Sequence, residues 1–197
     1  MDILQKRGDI VLGWFMPDGV FAHFYDITPE YLIFCGIKAL IIDIDNTLAP
    51  YEIAKPDERT LTWFAALDEC GIKAALVSNN DAARVELFNQ ELGLPAYPKS
   101  GKPFAKNLKK AMLLMDSDKT NTAMLGDQIL TDIAAGKHIG LRAFLVPPIK
   151  DRTSAFFKFK RWLEVPMVKR YAKRINDAKT LAACDFWINK RYKTNKK

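Results

Sequence analysis

The chain has 197 residues, of which 49% are hydrophobic and 27% are charged, the proportions of an ordinary globular protein with a sizeable core. No stretch reaches the roughly 18 apolar residues that span a bilayer, and the apolar run at residues 10–17 lacks the features of a secretory signal. The three cysteines are too far apart for metal-ligand spacing, which predicts reduced thiols. Composition thus excludes a membrane-spanning chain, and we expect a cytoplasmic protein of one domain, with or without an extension.

Positive charge is concentrated at the C-terminal end. Residues 1–149 have a net charge of −4, whereas residues 150–197 contain 15 basic and 4 acidic residues and have a net charge of +11. We therefore divide the chain into a domain at 1–149 and a basic extension at 150–197. This segregation predicts an anionic partner, either a membrane surface or a nucleic acid.

Helical and strand patterns alternate between residues 28 and 146. A helix start at Thr28-Pro29-Glu30 predicts the first helix, which ends near Cys35. The remaining predicted helices cover residues 57–70, 81–92, 103–115 and 129–135, and the predicted strands cover residues 38–42, 73–77, 122–125 and 141–146. Such alternation predicts an α/β fold with a parallel sheet and right-handed crossovers.

The basic extension has a helical pattern with two apolar stripes. The stripes are Phe156, Phe159, Trp162 and Leu163, and then Val168, Tyr171, Ala172 and Ile175. Pro166 lies between them, so we expect a basic amphipathic helix that is kinked or broken at this proline. The stripes could pack on the sheet, contact an anionic membrane, or accompany RNA binding. We favour packing near the domain combined with peripheral contact with the inner face of a membrane.

Two carboxylates follow the first predicted strand. Asp43 and Asp45 would lie on the same side of an extended chain, with Thr47 two residues further on. Ligands of open α/β sheets bind beyond the carboxyl ends of the strands, and two crowded carboxylates call for a cation. This pattern predicts a Mg²⁺ site with a nucleophilic aspartate; the alternative is an ordinary strand followed by an Asp-Asn turn.

Polar residues also follow the later strands and should meet at the same sheet edge. They are Ser78 and Asn79, then Lys99 and Lys102, and then Asp127 and Asp132. Lys102 precedes Pro103, so it should lie at the mouth of a helix, where an anion is favoured; Lys99 is the alternative lysine. Ser78 could instead cap the next helix, and Asp132 could be a surface acid.

This set of side chains suits phosphoryl transfer to an aspartate. Asp43 could form an aspartyl-phosphate, while Ser78 and Lys102 stabilise the charge on the phosphoryl oxygens. Asp45 could protonate the leaving alkoxide and then activate water. We also count Asn79 and Thr47 as candidate phosphate-binding residues, although Thr47 could simply hold the loop through a hydroxyl-to-backbone bond.

The four segments resemble the signature motifs of the haloacid dehalogenase (HAD) superfamily. The matching residues are the D-x-D-x-T run at Asp43, Ser78, Lys102, and the Gly126-Asp127-x₄-Asp132 box. The resemblance implies a Rossmann-like fold with Asp43 as nucleophile and Asp45 as acid/base. It also implies Mg²⁺ held by Asp43, the Asp45 backbone carbonyl and Asp127, with Asp132 behind them.

The segments DITPEYL, DIDNTL, VSNN, KSGKP and GDQILTD are similar, more narrowly, to the YqeG-type HAD IIIA phosphatases. Mitochondrial relatives of that family dephosphorylate phosphatidylglycerophosphate to phosphatidylglycerol, which makes this lipid head group the expected substrate. The intervals between the motifs hold one helix each, so no cap domain fits. Two alternatives are a phosphatase acting on nucleotides or nucleic acids, and a non-catalytic module that binds RNA or the ribosome.

Overall fold

The computed structural model describes residues 13–150 and 155–190. Six strands form one sheet: β1 (Gly19–Val20), β2 (Ala39–Ile42), β3 (Lys73–Val77), β4 (Ala96–Tyr97), β5 (Thr122–Gly126) and β6 (Arg142–Leu145). Their spatial order is β1–β6–β5–β2–β3–β4, and every neighbouring pair is parallel. The predicted parallel α/β sheet is therefore confirmed, although the short strands β1 and β4 were not predicted.

Seven α-helices connect and flank the strands in the described part of the chain. They are α1 (Pro29–Phe34), α2 (Glu58–Glu69), α3 (Ala82–Asn89), α4 (Lys106–Leu114), α5 (Ala134–His138), α6 (Ala155–Ala172) and α7 (Ala178–Lys190). Within residues 13–150, single helices fill the intervals between β2, β3 and β4, which leaves no room for a cap domain. None of the described helices is both long and apolar enough to cross a membrane.

Side-chain caps fix the starts of the first three helices. The hydroxyl of Thr28 accepts the Tyr31 backbone N–H at 3.3 Å, and Pro29 occupies the first helical position. Asp57 and Asp81 cap α2 and α3 in the same way. These caps satisfy backbone groups that the helix leaves unpaired, so the predicted starts are confirmed.

Three predicted helices differ from the structure by more than one residue at an end. Helix α3, predicted to continue to Leu92, ends at Asn89. Helix α4 begins at Lys106 rather than Pro103, so Lys102 precedes the helix by a full turn. The expectation that Lys102 lies at the N-terminal end of this helix was therefore wrong. The helix expected at 129–135 is a π-helical turn at Ile129–Ile133 that continues into α5. Such wide turns are rare and often occur at functional sites.

Over residues 155–190 the extension forms two helices, and the first is continuous through Pro166. We predicted a kink or a break at this proline, and the break was wrong: the chain leaves the helix only after Ala172 and starts α7 at Ala178. Val165, Val168 and Tyr171 of α6 are buried, as is Trp187 of α7. The buried stripe compensates for the hydrogen bond that a proline removes from a helix.

The sheet is covered on both faces. Leu40 and Ile42 of β2 face the core beneath α1, α2 and α3, whereas Ala39 and Ile41 face α4 and α5. Helices α6 and α7 pack on this second face, over β1, β6 and the π-helical turn, in a cluster that includes Leu145. The expected packing of the extension on the sheet is therefore confirmed.

Strand β2 lies at the centre, and the direction of chain crossover reverses beside it. The chain proceeds from β2 to β3 and β4 on one side, and then crosses to β5 and β6 on the other. Every residue of β2 is buried, and Asp43 follows directly after Ile42. Asp43 thus lies at the topological switch point, where open α/β sheets bind their ligands.

The packing of α6 on the sheet predicts that two side-chain truncations on this helix change the free energy of unfolding by different amounts. We expect Val168→Ala to lower the free energy of unfolding by about 2 kcal/mol, because Val168 is fully buried. Phe159→Ala, the control, should change it by less than about 0.5 kcal/mol, because Phe159 is 56% exposed on the same helix. Urea unfolding measures both values, and equal small effects would contradict the packing of α6.

Candidate active site

Asp43 is the centre of the candidate site and is only 6% exposed. Lys102 Nζ donates to Asp43 Oδ1 at 2.6 Å, and the Thr47 hydroxyl donates to Asp43 Oδ2 at 3.2 Å. The expectation that Thr47 bonds to loop backbone was therefore wrong: its hydroxyl instead orients the Asp43 carboxylate. Each carboxylate oxygen of Asp43 therefore accepts one hydrogen bond, and both donors lie at the same edge of the sheet as Asp43.

Lys102 is the lysine that reaches the site. Its ammonium group is buried and donates to Asp43, to Asp132 Oδ1 at 2.8 Å, and to the backbone carbonyl of Val77 at 2.7 Å. Lys99, the alternative lysine, is exposed. All three N–H groups of the ammonium are used, which satisfies a buried cation that would otherwise be costly.

Asp132 lies beneath this lysine and is almost fully buried. Its Oδ2 accepts the backbone N–H of Gln128 at 3.1 Å across the π-helical turn. A Cβ on Gly126 would lie 2.4 Å from the Cβ of Asp132, so only glycine leaves room for this carboxylate at the end of β5. Asp132 is therefore an internal acid rather than a surface acid.

Asp127 is fully buried and is paired with a residue that the sequence did not indicate. The guanidinium of Arg161, on α6, donates to both the carboxylate and the backbone carbonyl of Asp127. Glu164 accepts from the same guanidinium at 3.1 Å. Among the described residues, Asp127 Oδ1 is buried without a hydrogen-bond partner.

Asp45 is held on the other side of the site by three donors. Its carboxylate accepts from Ser78 Oγ at 3.3 Å, Asn80 Nδ2 at 3.0 Å and Arg84 Nε at 3.2 Å. The cap of α3 is Asp81, so Ser78 is not a helix cap. These contacts place Ser78 and Asp45 side by side, and they add Arg84 to the site.

Asn79 has a role in positioning the lysine loop. Its Oδ1 accepts from Ser100 Oγ and from the Lys102 backbone N–H, both at 2.8 Å, and its Nδ2 donates to the Lys102 carbonyl at 3.0 Å. The side chain thereby fixes the backbone that carries Lys102. Phosphate binding by Asn79 stays a prediction.

Burial and charge shift the pKa values of these groups. Burial raises the pKa of Asp43 to about 8, although Lys102 acts in the opposite direction. Burial likewise raises the pKa of Asp127 to about 7 against the lowering effect of Arg161. Burial lowers the pKa of Lys102, but the carboxylates of Asp132 and Asp43 raise it by more, so this ammonium stays protonated.

The residues can hold a divalent cation. Asp43, Asp127 and Asp132, which we call the acid cluster, each offer an oxygen, and these three oxygens lie within 4.8 Å of one another. When all groups are ionised, the acid cluster and Glu164 carry four negative charges against the two positive charges of Lys102 and Arg161. A hard cation with oxygen ligands, such as Mg²⁺, suits this excess and the unpartnered oxygen of Asp127.

A crevice of about 190 Å³ opens above the acid cluster. Its walls come from the strand ends and from α6 of the extension. The lining residues are Asp43, Asp45, Asn46, Tyr51, Ser78, Asn79, Asn80, Lys102, Gln128, Thr131, Asp132, Phe157 and Lys160. The crevice therefore holds carboxylates, a hydroxyl and cations in one place, which is the set that phosphoryl transfer uses.

Sequence reasoning missed several of these residues for a common reason. Arg84 lies on a helix face six residues after Ser78, and Arg161 and Lys160 lie among the many charges of the extension. No spacing pattern separates them from solvated surface charges. The one available signal was an i, i+3 pair, Arg161 and Glu164, within an otherwise basic helix.

Known proteins resemble the chain. A family profile described as HAD-hydrolase-like matches residues 99–154. The chain is 36% identical over 151 residues to the protein named Probable phosphatase YqeG of Bacillus subtilis (strain 168), covering 77% of this chain and 88% of that protein.

Two solved structures have a more distant similarity. The cobalt-bound deoxy-D-mannose-octulosonate 8-phosphate phosphatase YrbI of Haemophilus influenzae is 14% identical, with 75% of this chain and 98% of that chain covered and a TM-score of 0.49. A putative HAD superfamily (subfamily III A) hydrolase of Legionella pneumophila is 20% identical, with 58% and 68% covered and a TM-score of 0.45. The relationship to the Bacillus subtilis protein is the one that decides the family. The chain is a HAD-superfamily phosphatase and belongs to the YqeG family.

Proposed function

We propose that the protein is a Mg²⁺-dependent phosphomonoesterase that works through an aspartyl-phosphate on Asp43. The observation that carries the proposal is the position of this carboxylate at the sheet switch point, bonded to Lys102 and surrounded by further acids. Mg²⁺ would be held by Asp43, Asp127 and the backbone carbonyl of Asp45, with Asp132 behind them. When bound, it neutralises charge on the carboxylates and on the phosphate that approaches them.

In the first step a carboxylate oxygen of Asp43 attacks the phosphorus atom, and the bond from phosphorus to the alkoxide oxygen breaks. Asp45 gives its proton to the departing alkoxide, which leaves as an alcohol. Ser78 would donate to an equatorial phosphoryl oxygen, and the positive charge of Lys102 beside Asp43 would stabilise the negative charge that is spread over these oxygens. Arg84 orients Asp45 through its hydrogen bond to Oδ1.

In the second step water attacks the same phosphorus atom from the side that the alcohol has left. Asp45, now a carboxylate, takes a proton from this water, and the bond between phosphorus and Asp43 breaks. Inorganic phosphate is released and the Asp43 carboxylate is restored. The hydroxyl of Thr47 holds the nucleophile in one orientation throughout both steps.

We propose phosphatidylglycerophosphate as the substrate, on the basis of the family resemblance and of helix α6. This helix contributes Phe157 and Lys160 to the crevice wall. It also presents Phe159 and Trp162, which are 56% and 62% exposed and stack with ring centroids 6.0 Å apart. An exposed aromatic pair beside basic residues suits the interface of an anionic membrane, and Lys160 would attract a second anionic group of the head group.

We expect Asp43→Asn to reduce kcat by about 10³-fold or more, because an amide cannot act as the nucleophile. The asparagine still offers an oxygen to Lys102, so the fold should be retained. The measurement is phosphate release at saturating Mg²⁺, with circular dichroism as the test of folding. Asp68→Asn, an exposed residue of α2, is the matched control, and normal turnover by Asp43→Asn would remove the nucleophile assignment.

A phosphate-release panel tests the substrate. It compares phosphatidylglycerophosphate in vesicles with nucleoside monophosphates and a 5′-phosphorylated oligonucleotide, each with Mg²⁺ and with a chelator. We expect the lipid to have a kcat/KM at least about tenfold higher than the other substrates, because α6 places basic and aromatic groups at the crevice. A preference for the oligonucleotide would replace the lipid assignment with the nucleic-acid one.

The Trp162→Ala variant extends the same panel to the membrane contact. It should lower turnover of the vesicle substrate several-fold and leave turnover of a nucleoside monophosphate unchanged, because Trp162 lies outside the crevice lining. Phe34→Ala, which removes a side chain that is 90% exposed on α1, is the control. Equal effects of the two variants on vesicle turnover would contradict a membrane role for α6.

A further inference from the structure

One residue of the basic extension reaches the acid cluster. Arg161 lies in the interior of α6, and its side chain is only 7% exposed. Its Nη1 donates to the backbone carbonyl of Asp127, and its Nη2 donates to Asp127 Oδ2. A guanidinium is a planar fork, so two such bonds to one residue fix both the backbone and the carboxylate of that residue.

Arg161 is itself held from two sides. Glu164, one helical turn further along, accepts from Arg161 Nη1 at 3.1 Å and from the backbone N–H of Leu130 at 3.1 Å. The ring of Trp187, on α7, lies with its centroid 5.6 Å from the guanidinium carbon. The extension is therefore hydrogen-bonded to the segment that follows β5, in addition to the packing of its own apolar side chains on the sheet.

In this arrangement only one of the two carboxylate oxygens of Asp127 accepts a hydrogen bond from the described residues. Oδ2 is occupied by Arg161, while Oδ1 is buried and has no hydrogen-bond partner among the described residues. A buried acceptor without a partner is costly unless a ligand completes it. An oxygen of Asp127 also lies within 4.8 Å of oxygens from Asp43 and Asp132, so a cation between them would have a ligand already in place.

We propose that Arg161 is a positioning residue for the metal ligand Asp127, which makes the C-terminal extension a structural part of the metal site. The inference rests on the metal site proposed above. Arg161 acts from behind the ligand: it holds one carboxylate oxygen so that the other stays available to the cation. Partners of this kind, which orient a metal ligand, are typically worth about 10–100-fold in metal affinity.

Metal binding to the full chain, stripped of metal by a chelator, tests the proposal. The principal variant is Arg161→Met combined with Glu164→Gln, which removes the cation together with the charge of its second partner, so that Asp127 is the one carboxylate of this group that loses its ion pair. Its Kd for Mn²⁺, measured by electron paramagnetic resonance of the free ion, should be at least about tenfold higher than that of the unaltered chain. Arg161→Lys, which keeps the charge but loses the fork, should weaken binding by a smaller factor of about threefold or more.

Two controls separate positioning from charge and from folding. Lys169→Met removes an exposed cation from the same helix and should leave the Kd unchanged. Glu164→Gln alone keeps the bonds from Arg161 to Asp127 and should change the Kd by less than about threefold. The double variant should also need more Mg²⁺ for half-maximal activity but recover its kcat at saturating Mg²⁺, because Asp127 itself remains.

Each outcome decides the question. A Kd that is unchanged in both Arg161 variants would overturn the positioning role, and a lower Kd would show that Arg161 competes with the metal. If the double variant does not fold, as judged by circular dichroism, the Arg161→Lys result decides. If the unaltered chain does not bind Mn²⁺ at all, the proposed metal site fails, and this inference fails with it.

Discussion

The site depends on a buried ammonium group that joins three separate segments of the chain. Lys102 connects Asp43, after β2, with Asp132, after β5, and its own loop is fixed by Asn79, after β3. Without this cation, the acid cluster would place like charges together among largely buried side chains, which is strongly unfavourable. The carboxyl ends of the central strands are thus held together by electrostatic attraction as well as by the sheet.

The extension provides a second cation to the same edge and closes one side of the crevice. Arg161 pairs with Asp127, and Phe157 and Lys160 line the wall. Many α/β enzymes complete their sites with loops or added segments on a rigid sheet. Here a C-terminal helix fills that place in a protein whose intervals between β2, β3 and β4 hold no cap domain. The proposed substrate contacts and the proposed support of the metal ligand therefore lie on the same helix.

The sequence was sufficient for the four longer strands and for the polar residues that follow them, because apolar runs and strand-end acids are local patterns; it did not reveal the two-residue strands β1 and β4. It identified Asp43, Lys102 and Asp127, and the structure brings all three to one edge. The Thr47–Asp43 bond could not be predicted, because it depends on how the loop turns after the strand. The role of Arg161 could not be predicted either, because its partner Asp127 lies 34 residues away in the sequence and other basic residues surround it.

The course of the extension also could not be predicted from local patterns. Pro166 predicted a kink or a break, yet α6 is not broken there, because burial of Val165 and Val168 on the sheet outweighs the local preference of one residue. We predicted Lys102 as the site lysine because it precedes a helix. In the structure, what brings it into the site is its ion pairs with Asp43 and Asp132. Local signals thus located the residues, and long-range contacts determine what each one touches.

We propose that Asp43 and Asp127 bind one divalent ion while Asp43 receives the phosphoryl group. The most direct test is a crystal structure of the protein with Mg²⁺ and beryllium fluoride, which mimics a phosphoryl group on a carboxylate. We expect a beryllium–oxygen bond to Asp43 and a Mg²⁺ ion in contact with both aspartates. A beryllium adduct on another residue, or an ion that contacts neither aspartate, would contradict it.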